Sequence, residues 1–217
     1  TTASGGNIAA SEGQIVHVTD GKLKSYIAWD HAHKDLLEQM QRLPESPEPG
    51  LALAHLGLLH GRDSAVLDGT DHAMAAVQQI ADQTAEAENP IQHRLFDQLI
   101  AFTDPGRSGV TTPLRRALFD RIGTAAASPE QEVAYHLAFG QFLEQIGQLD
   151  QTVQHYQAVL LDPGLNSQLY SHRNVFRQAG LEARSRLRDL IRRHGRSVYA
   201  PFDQLATQQL SALTAQN

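Results

Sequence analysis

Residues 133–163, VAYHLAFGQFLEQIGQLDQTVQHYQAVLLDP, contain the pattern that decides the fold. Apolar residues recur every three or four positions on each side of Gly147, which predicts two amphipathic helices joined by a tight turn. The first helix carries the small residue Gly140, and the second carries Ala158. Because two helices approach closely only where side chains are small, we expect them to touch at these two positions. Pro163 is expected to end the second helix.

The order of these residues resembles the tetratricopeptide (TPR) repeat, in which small, bulky, turn, aromatic and closing positions follow one another along a helical hairpin. The matching residues are Gly140, Leu143, Gly147, Tyr156 and Pro163. The sequence departs from that family at Thr152, where the family carries alanine, and its second helix is shorter by one residue. The resemblance implies stacked helix pairs that bind a partner, and it implies no reaction.

Helix signals of the same kind run through most of the chain. Ser46-Pro47 and Ser128-Pro129 each place a capping serine before a proline that needs no N–H, which predicts a helix start. Gln131 follows Ser128 by three residues and completes a capping box. The apolar periodicity predicts about ten helices joined by short links. The predicted fold class is therefore mainly α, a TPR-like α-solenoid of antiparallel helix pairs.

Three stretches of this helical part carry more specific predictions. Residues 61–69 are expected to form a long turn. Residues 169–176, with apolar side chains at both ends, are expected to lie on a helix that Gly180 breaks. Residues 202–213 are expected to form the last helix.

The first 29 residues follow a different pattern. Glu12-Gly13 and Asp20-Gly21 separate runs rich in β-branched residues, which predicts a three-stranded N-terminal β-meander. The run resembles the end of a blade of a pyrroloquinoline-quinone (PQQ)-type β-propeller, as in large bacterial extracytoplasmic proteins in which TPR-like helices follow the propeller. The resemblance implies a segment of a larger extracytoplasmic protein, although a cytoplasmic location stays open. The predicted domains are residues 1–29 and 30–217.

Composition and charge narrow the functional classes. The chain has no cysteine, which excludes disulfides and thiolate chemistry, and no apolar run is long enough for a transmembrane helix. The net charge of −6 is unevenly distributed. Residues 1–172 carry 10 Lys and Arg against 21 Asp and Glu, whereas residues 173–196 carry eight Arg against two acidic residues. An acidic body followed by a basic helix suits an anionic partner, or neutralisation within the fold.

The Arg-rich helix predicted over residues 181–194 contains a basic row at intervals of four, formed by Arg184, Arg188 and Arg192. Residues with that spacing share one face of a helix. We expect this row to bind a protein partner or another domain of the same polypeptide, or else to be a solvated face. The alternative is a helical regulatory or nucleic-acid-binding domain. Aromatic residues that stack on bases are missing from the row, so no nucleic acid is expected as partner.

No constellation of residues predicts catalysis, a cofactor or a metal. No two of the eleven histidines are separated by three or four residues, so none share a helical face. His31 and His33 would share a face only in an extended segment. Neither a G-x-S-x-G turn nor a glycine-rich phosphate loop occurs. The sequence therefore predicts a non-catalytic scaffold or protein–protein interaction module, with no catalytic, cofactor-binding or metal-binding residues.

Overall fold

The computed structural model describes residues 7–11, 14–19, 22–83, 90–107, 109–172, 175–200 and 202–203, and within them the chain is mainly α, as predicted. The helices are α1 (Trp29–Arg42), α2 (Pro47–His60), α3 (Asp63–Gln83), α4 (Pro90–Phe102), α5 (Thr112–Ala125), α6 (Pro129–Gln145), α7 (Leu149–Leu161), α8 (Pro163–Ser167) and α9 (Ala179–His194), with a 3₁₀ turn at Arg196–Tyr199. The strands are β1 (Asn7–Ser11), β2 (Gln14–Thr19), β3 (Lys22–Ile27), β4 (Leu169–His172) and β5 (Val175–Gln178). The helix predicted over residues 202–213 lies outside the described residues, apart from 202–203.

The three N-terminal strands pair antiparallel in the order β1-β2-β3. Asn7 lies opposite Val18 in the first pair, and Gln14 lies opposite Ile27 in the second. The assignment of these strands to a propeller blade, and the domain boundary after residue 29, stay predictions.

The chain divides into two compact units. The first comprises Thr1–Leu95 and Arg107–Ala117, and the second comprises Phe96–Gly106 and Leu118–Asn217. Each unit has its own apolar core. Fully buried core residues include Leu53 and Val66 in the first unit and Leu118, Leu143, Val153 and Leu190 in the second.

In the first unit, α2 packs against α3 at glycines on both helices. A Cβ atom at Gly57 would lie 2.9 Å from the backbone nitrogen of Val66, and one at Gly69 would lie 2.6 Å from that of Ala54. Both distances are too short for a side chain. The glycines therefore allow the two backbones to approach more closely than larger residues would.

The long turn predicted over residues 61–69 is wrong, because α3 already begins at Asp63. Gly61 and Arg62 link the two helices, and Gly61 has a left-handed φ of 62° that favours glycine. The residues expected in a turn are helical because Val66 is buried and Gly69 lies at the crossing with α2. The burial of these residues, which the local sequence does not show, favours a helix over a turn.

In the second unit, α6 and α7 form the helical hairpin predicted from residues 133–163. Gly147 has a left-handed φ of 77°, which favours glycine at this turn. The N–H of Gln148 closes the turn with a hydrogen bond of 2.8 Å to the carbonyl oxygen of Leu143. As predicted, α7 ends before Pro163, which is the first residue of α8.

The small residue Gly140 lies under the ring of Tyr156. A Cβ atom at Gly140 would lie 2.5 Å from Tyr156 Cε1 and 3.0 Å from Cδ1 and Cζ of the same ring. Both residues are buried, whereas Ala158 is half-buried. The notch at Gly140 is therefore filled by the aromatic side chain of the second helix.

The helix expected over residues 169–176 is wrong, because β4 and β5 form an antiparallel pair with Leu169 opposite Gln178. Tyr170 is buried, whereas Leu169 and Phe176 are 58% and 74% exposed. This alternation is that of a ribbon with one face on the core. Apolar residues at positions 169 and 176 therefore lie on the outer face of strands rather than on the inner face of a helix.

Gly180 does not break a helix, since it lies in the first turn of α9. It is buried, and a Cβ atom there would meet the side chain of Asn166 and lie 2.9 Å from its carbonyl oxygen. Glycine costs a helix only about 1 kcal/mol. The close approach of α8 to α9 explains the glycine.

The two predicted helix starts differ in their capping. The Ser128 hydroxyl accepts a hydrogen bond of 3.3 Å from the N–H of Gln131, as predicted. The side chain of Gln131 reaches one residue further back than expected and accepts from the N–H of Ala127. Ser46 makes no capping bond, although α2 begins directly after it. Its hydroxyl donates instead to Glu48 Oε2 at 2.7 Å.

Candidate functional site

The second unit contains a pocket of about 500 Å³ between α6, α7 and α9. Helix α6 contributes two amides and a carboxylate, α7 a phenol, and α9 two guanidinium groups, a carboxylate and an imidazole. The lining residues are Gln141, Glu144, Gln145, Tyr156, Arg186, Asp189, Arg193 and His194. These groups offer hydrogen-bond donors and acceptors and charges of both signs, and no serine, threonine or cysteine is among them.

The pocket takes its charges from one face of α9. Arg186, Asp189 and Arg193 are separated by three and four residues, so they lie on one side of the helix. Leu187 and Leu190 are buried on the neighbouring side and hold the helix in place. The sequence alone did not indicate this face, because the arginines that recur every four residues from Arg184 form a more regular pattern.

The row predicted from the sequence lies on a different face of the same helix. Arg184, Arg188 and Arg192 are all exposed. Arg192 pairs with Asp189, with 2.9 Å between Nη2 and Oδ1. Among the described residues, no ion pair involves Arg184 or Arg188. The predicted row is therefore an exposed basic surface, and none of its three arginines lines the pocket.

Arg186 is the most constrained charge of the pocket. Its Nε donates to Glu182 Oε1 at 2.9 Å, and its Nη1 donates to the carbonyl oxygen of Leu137 on α6 at 2.8 Å. Arg177 on β5 donates to the other oxygen of Glu182 at 2.8 Å. Burial alone would lower the pKa of Arg186, but its bonds to Glu182 and Tyr156 outweigh burial and raise it. Arg186 therefore stays charged and joins α6 to α9.

Tyr156 is almost entirely buried where it borders the pocket, with only 1% of its surface exposed. Its ring covers Gly140 on one helix, and the guanidinium carbon of Arg186 lies 5.9 Å from the ring centre. That distance is within the range of a cation–π contact. Burial is the largest influence on the hydroxyl and raises the pKa of Tyr156. The phenol is therefore a neutral hydrogen-bonding group at pH 7.

Glu144 on α6 contacts two side chains at the C-terminal end of α9. Arg193 Nη2 lies 2.8 Å from Glu144 Oε1, and His194 Nε2 lies 3.6 Å from the same oxygen. The Glu144 side chain is only 13% exposed. Its Oε1 accepts no aligned hydrogen bond among the described residues, so the contact with Arg193 is a charge contact. That oxygen is itself buried, so it contacts Arg193 rather than solvent.

A second group of side chains escaped sequence reasoning altogether. His136 on α6 and His155 on α7 lie with their Nδ1 atoms 2.9 Å apart. A separation of three or four residues identifies only histidines that share a face of one helix, and these two are 19 residues apart on neighbouring helices. His31 and His33 both lie on α1, where residues two apart do not share a face. In the described part of the chain, no group of three or more His, Cys, Asp or Glu side chains is placed to hold a metal ion.

The residues that carry the TPR resemblance are all in the second unit. Gly140, Leu143 and Tyr156 are buried, and Gly147 and Pro163 lie at the exposed ends of helices. They shape the hairpin, and of these residues only Tyr156 lines the pocket.

Comparison of the chain with protein-family models, with curated proteins and with solved structures finds no match. In the described residues, no helix has both the length and the apolar character needed to cross a membrane.

Proposed function

We propose that this protein is a non-catalytic TPR-like helical scaffold that binds a segment of a partner protein, or another domain of the same polypeptide, in the pocket between α6 and α9. The carrying observation is the pocket itself, in which Tyr156 and paired charges from two helices line one cavity. The left-handed turn at Gly147 and the ring of Tyr156 over Gly140 support the TPR-like assignment. The resemblance of residues 7–29 to a propeller blade supports the proposal of a larger, extracytoplasmic propeller-plus-repeat protein.

The pocket suits a short peptide segment in size and chemistry. Its volume of about 500 Å³ lies within the range of pockets that take a few side chains or a small molecule. Gln141 and Gln145 are exposed at its rim, and each amide can both donate and accept. Backbone amides of an extended segment have the same dual capacity. We therefore propose that these glutamines bind the peptide backbone of the partner.

The charges of the pocket are already held in place before a partner binds. Arg186 is fixed by Glu182 and Leu137, and Arg193 by Glu144. A site whose side chains are ordered in advance loses less entropy on binding. Because both signs are present, we propose a partner segment that carries both a basic and an acidic group.

The test is to occlude the pocket. Peptides are selected from a random display library with the whole chain as bait, and their affinities are measured by fluorescence anisotropy. Gln141→Trp places a large ring at the rim, so we expect binding to weaken at least about tenfold, or 1.4 kcal/mol. Gln154→Trp, at an exposed position of α7 outside the pocket, is the matched control and should bind as the wild type does. Selected peptides that bind both variants equally, or no selected peptide at all, would contradict the proposal.

The exposure of Arg184 and Arg188 favours a second candidate function, a helical regulatory or nucleic-acid-binding domain. The charge of residues 1–172 argues against this second candidate. These residues carry 21 acidic residues against 10 basic ones, and this excess of 11 repels phosphates. We therefore expect the wild-type chain to show negligible affinity for RNA or DNA. The change of Arg184, Arg188 and Arg192 to Gln should leave that affinity unchanged and weaken any contact with an acidic protein. Tight binding to nucleic acid that falls steeply with salt and is lost in the triple variant would favour the second candidate.

A further inference from the structure

We propose that the second unit has an outer docking surface on β5 and α9 that binds an acidic, amphipathic segment of a partner protein. The basic part of this surface is the row of Arg184, Arg188 and Arg192 on α9, and its apolar part consists of Phe176 on β5 and Leu181 on α9. None of these five residues lines the pocket between α6, α7 and α9. The outer docking surface is therefore a second interaction site, independent of the pocket.

The apolar part consists of large side chains that other residues leave uncovered. Phe176 is 74% exposed and Leu181 is 59% exposed. All other phenylalanines in the part of the chain that the structure describes are buried or half-buried. Leu169, which is 58% exposed, lies diagonally across the ribbon from Phe176 on the same face. Neighbouring exposed apolar side chains of this kind are typical of protein interaction surfaces.

The apolar and basic parts are close together, because β5 runs into α9 without a loop. Five residues separate Phe176 from Leu181, so their Cα atoms lie at most about 18 Å apart. Leu181, Arg184 and Arg188 follow one another at intervals of three and four and share one face of α9. A partner helix of about 20 residues is about 30 Å long, which is sufficient to reach from Phe176 to Arg188.

The basic part selects an acidic occupant. Within the described ranges, neither Arg184 nor Arg188 takes part in an ion pair. Arg192 pairs with Asp189, but both side chains are exposed, and such pairs contribute little to stability. Arg192 can therefore exchange Asp189 for a carboxylate of the partner. Because a guanidinium group binds a carboxylate through two parallel hydrogen bonds, Asp or Glu at intervals of four on a partner helix would match the row.

The charge of the rest of the second unit favours a short acidic segment over nucleic acid or an anionic membrane. Residues 118–172 carry six Asp and Glu against one Arg. A long polyanion or a membrane extends beyond the basic row, and these carboxylates repel any phosphate that comes within a Debye length, about 8 Å at 0.15 M salt. A short segment contacts the basic row alone and avoids this repulsion.

The experiment uses the whole chain and a fluorescein-labelled helical peptide of about 20 residues, with Glu at every fourth position and Leu on the adjoining face. Fluorescence anisotropy at about 0.15 M salt measures its affinity. The same peptide with Lys in place of Glu, a single-stranded RNA and phosphatidylserine vesicles are the competing probes. We expect the acidic peptide to bind most tightly. The double change Arg184→Gln and Arg188→Gln should weaken its binding at least about tenfold, because Arg residues commonly dominate the energy of such interfaces.

The double change Lys34→Gln and Arg42→Gln is the matched control for charge. It removes two exposed cations of α1 and lowers the net charge by the same amount. This control should bind the acidic peptide as the wild type does. Gln141→Trp, which occludes the pocket, should also leave the affinity unchanged, whereas a loss in that variant would place the peptide in the pocket and overturn the proposal.

Phe176→Ser distinguishes docking from charge attraction alone. It should weaken binding at least about fivefold, because the apolar contact is lost. Leu59→Ser is its matched control, since it removes a leucine of the first unit that is 68% exposed, and it should have no effect. Circular dichroism shows whether each variant is folded, and Leu181→Ser replaces Phe176→Ser if that variant does not fold.

Four results would overturn the proposal. The first is no binding of the acidic peptide, and the second is equal affinity of the arginine variant and its charge control. The third is equal affinity of Phe176→Ser and Leu59→Ser, which would leave an unspecific attraction of charges. The fourth is tighter binding of the RNA or of the vesicles than of the acidic peptide, which would assign the arginine row to a phosphate-bearing partner.

Discussion

Gly140→Leu is expected to lower the free energy of unfolding by about 3 kcal/mol, at the upper end of the range for overpacked cores. The reason is the ring of Tyr156, since even the first atom of the new side chain would lie 2.5 Å from its Cε1. The ring cannot move freely, because Tyr156 is buried in the core cluster of the second unit with Val133, Val153 and Leu187. Chemical denaturation followed by circular dichroism gives the measurement.

Gly140→Ala gives a sharper test of the same contact. Helix propensity predicts a higher free energy of unfolding for this variant, whereas the contact with Tyr156 predicts a lower one. Helix propensity alone would stabilise the variant by about 1 kcal/mol. The contact with Tyr156 predicts a net loss, since the added methyl group has no room. Gly106→Leu is the control, because that glycine lies in an exposed loop where a Cβ atom would have only an ordinary contact with Asp104. A more stable Gly140→Ala would show that the ring does not pack on Gly140 in solution.

Glu182→Gln is expected to lower the free energy of unfolding by about 2 kcal/mol, because it leaves two arginines without their carboxylate. Glu182 accepts from Arg177 and Arg186, and the side chains of Glu182 and Arg186 are only 15% and 20% exposed. A fully buried pair would cost about 3–5 kcal/mol to break, and partial solvent access of Arg177 reduces the effect.

Glu38→Gln is the matched control for this change. Glu38 also contacts two cations, Lys34 and Arg42, but its side chain is 45% exposed. Exposed pairs contribute about 0–1 kcal/mol, so the control should be close to the wild type. Equal losses at positions 38 and 182 would show that burial does not strengthen the Glu182 pairs.

The stability that the ion pairs of Glu182 contribute should also depend on pH. Burial by itself would raise the pKa of Glu182, but the hydrogen bonds from Arg186 and Arg177 outweigh burial and lower it. A carboxyl group whose pKa is lower in the folded state stabilises the fold fully above the unfolded pKa of about 4.3. That stabilisation is lost as the pH falls through the folded pKa. The difference in stability between the wild type and Glu182→Gln should therefore be largest near neutral pH and should shrink below about pH 4.

Predictions from the sequence succeeded where the signal was local. The mainly α class, the hairpin of α6 and α7, the turn at Gly147 and the cap at Ser128 all depend on residues within one or two helical turns of each other. Periodicity, a glycine at a left-handed position and a serine before a proline each act over that range. The sequence alone was therefore sufficient for these features.

The same local signals failed where distant contacts outweighed them. Gly180 indicated a helix break and residues 61–69 indicated a turn, yet Gly180 and residues 63–69 are helical because glycines there are required at helix crossings. The apolar residues at 169 and 176 indicated a helix, and the burial of Tyr170 between them made strands instead. In each case, packing against another element contributed more free energy than the local preference of about 1 kcal/mol.

By itself, the sequence determined the helical class, the hairpin of residues 133–163 and an Arg-rich helix, because hydrophobic period and turn chemistry act between near neighbours. Only the tertiary structure decided which arginines line the pocket and which histidines meet. Arg186 contacts Leu137 from 49 residues away, and His136 meets His155 across 19 residues. Spacing along one helix shows which side chains share a face, but it cannot show what that face packs against, since the partner comes from a distant part of the chain.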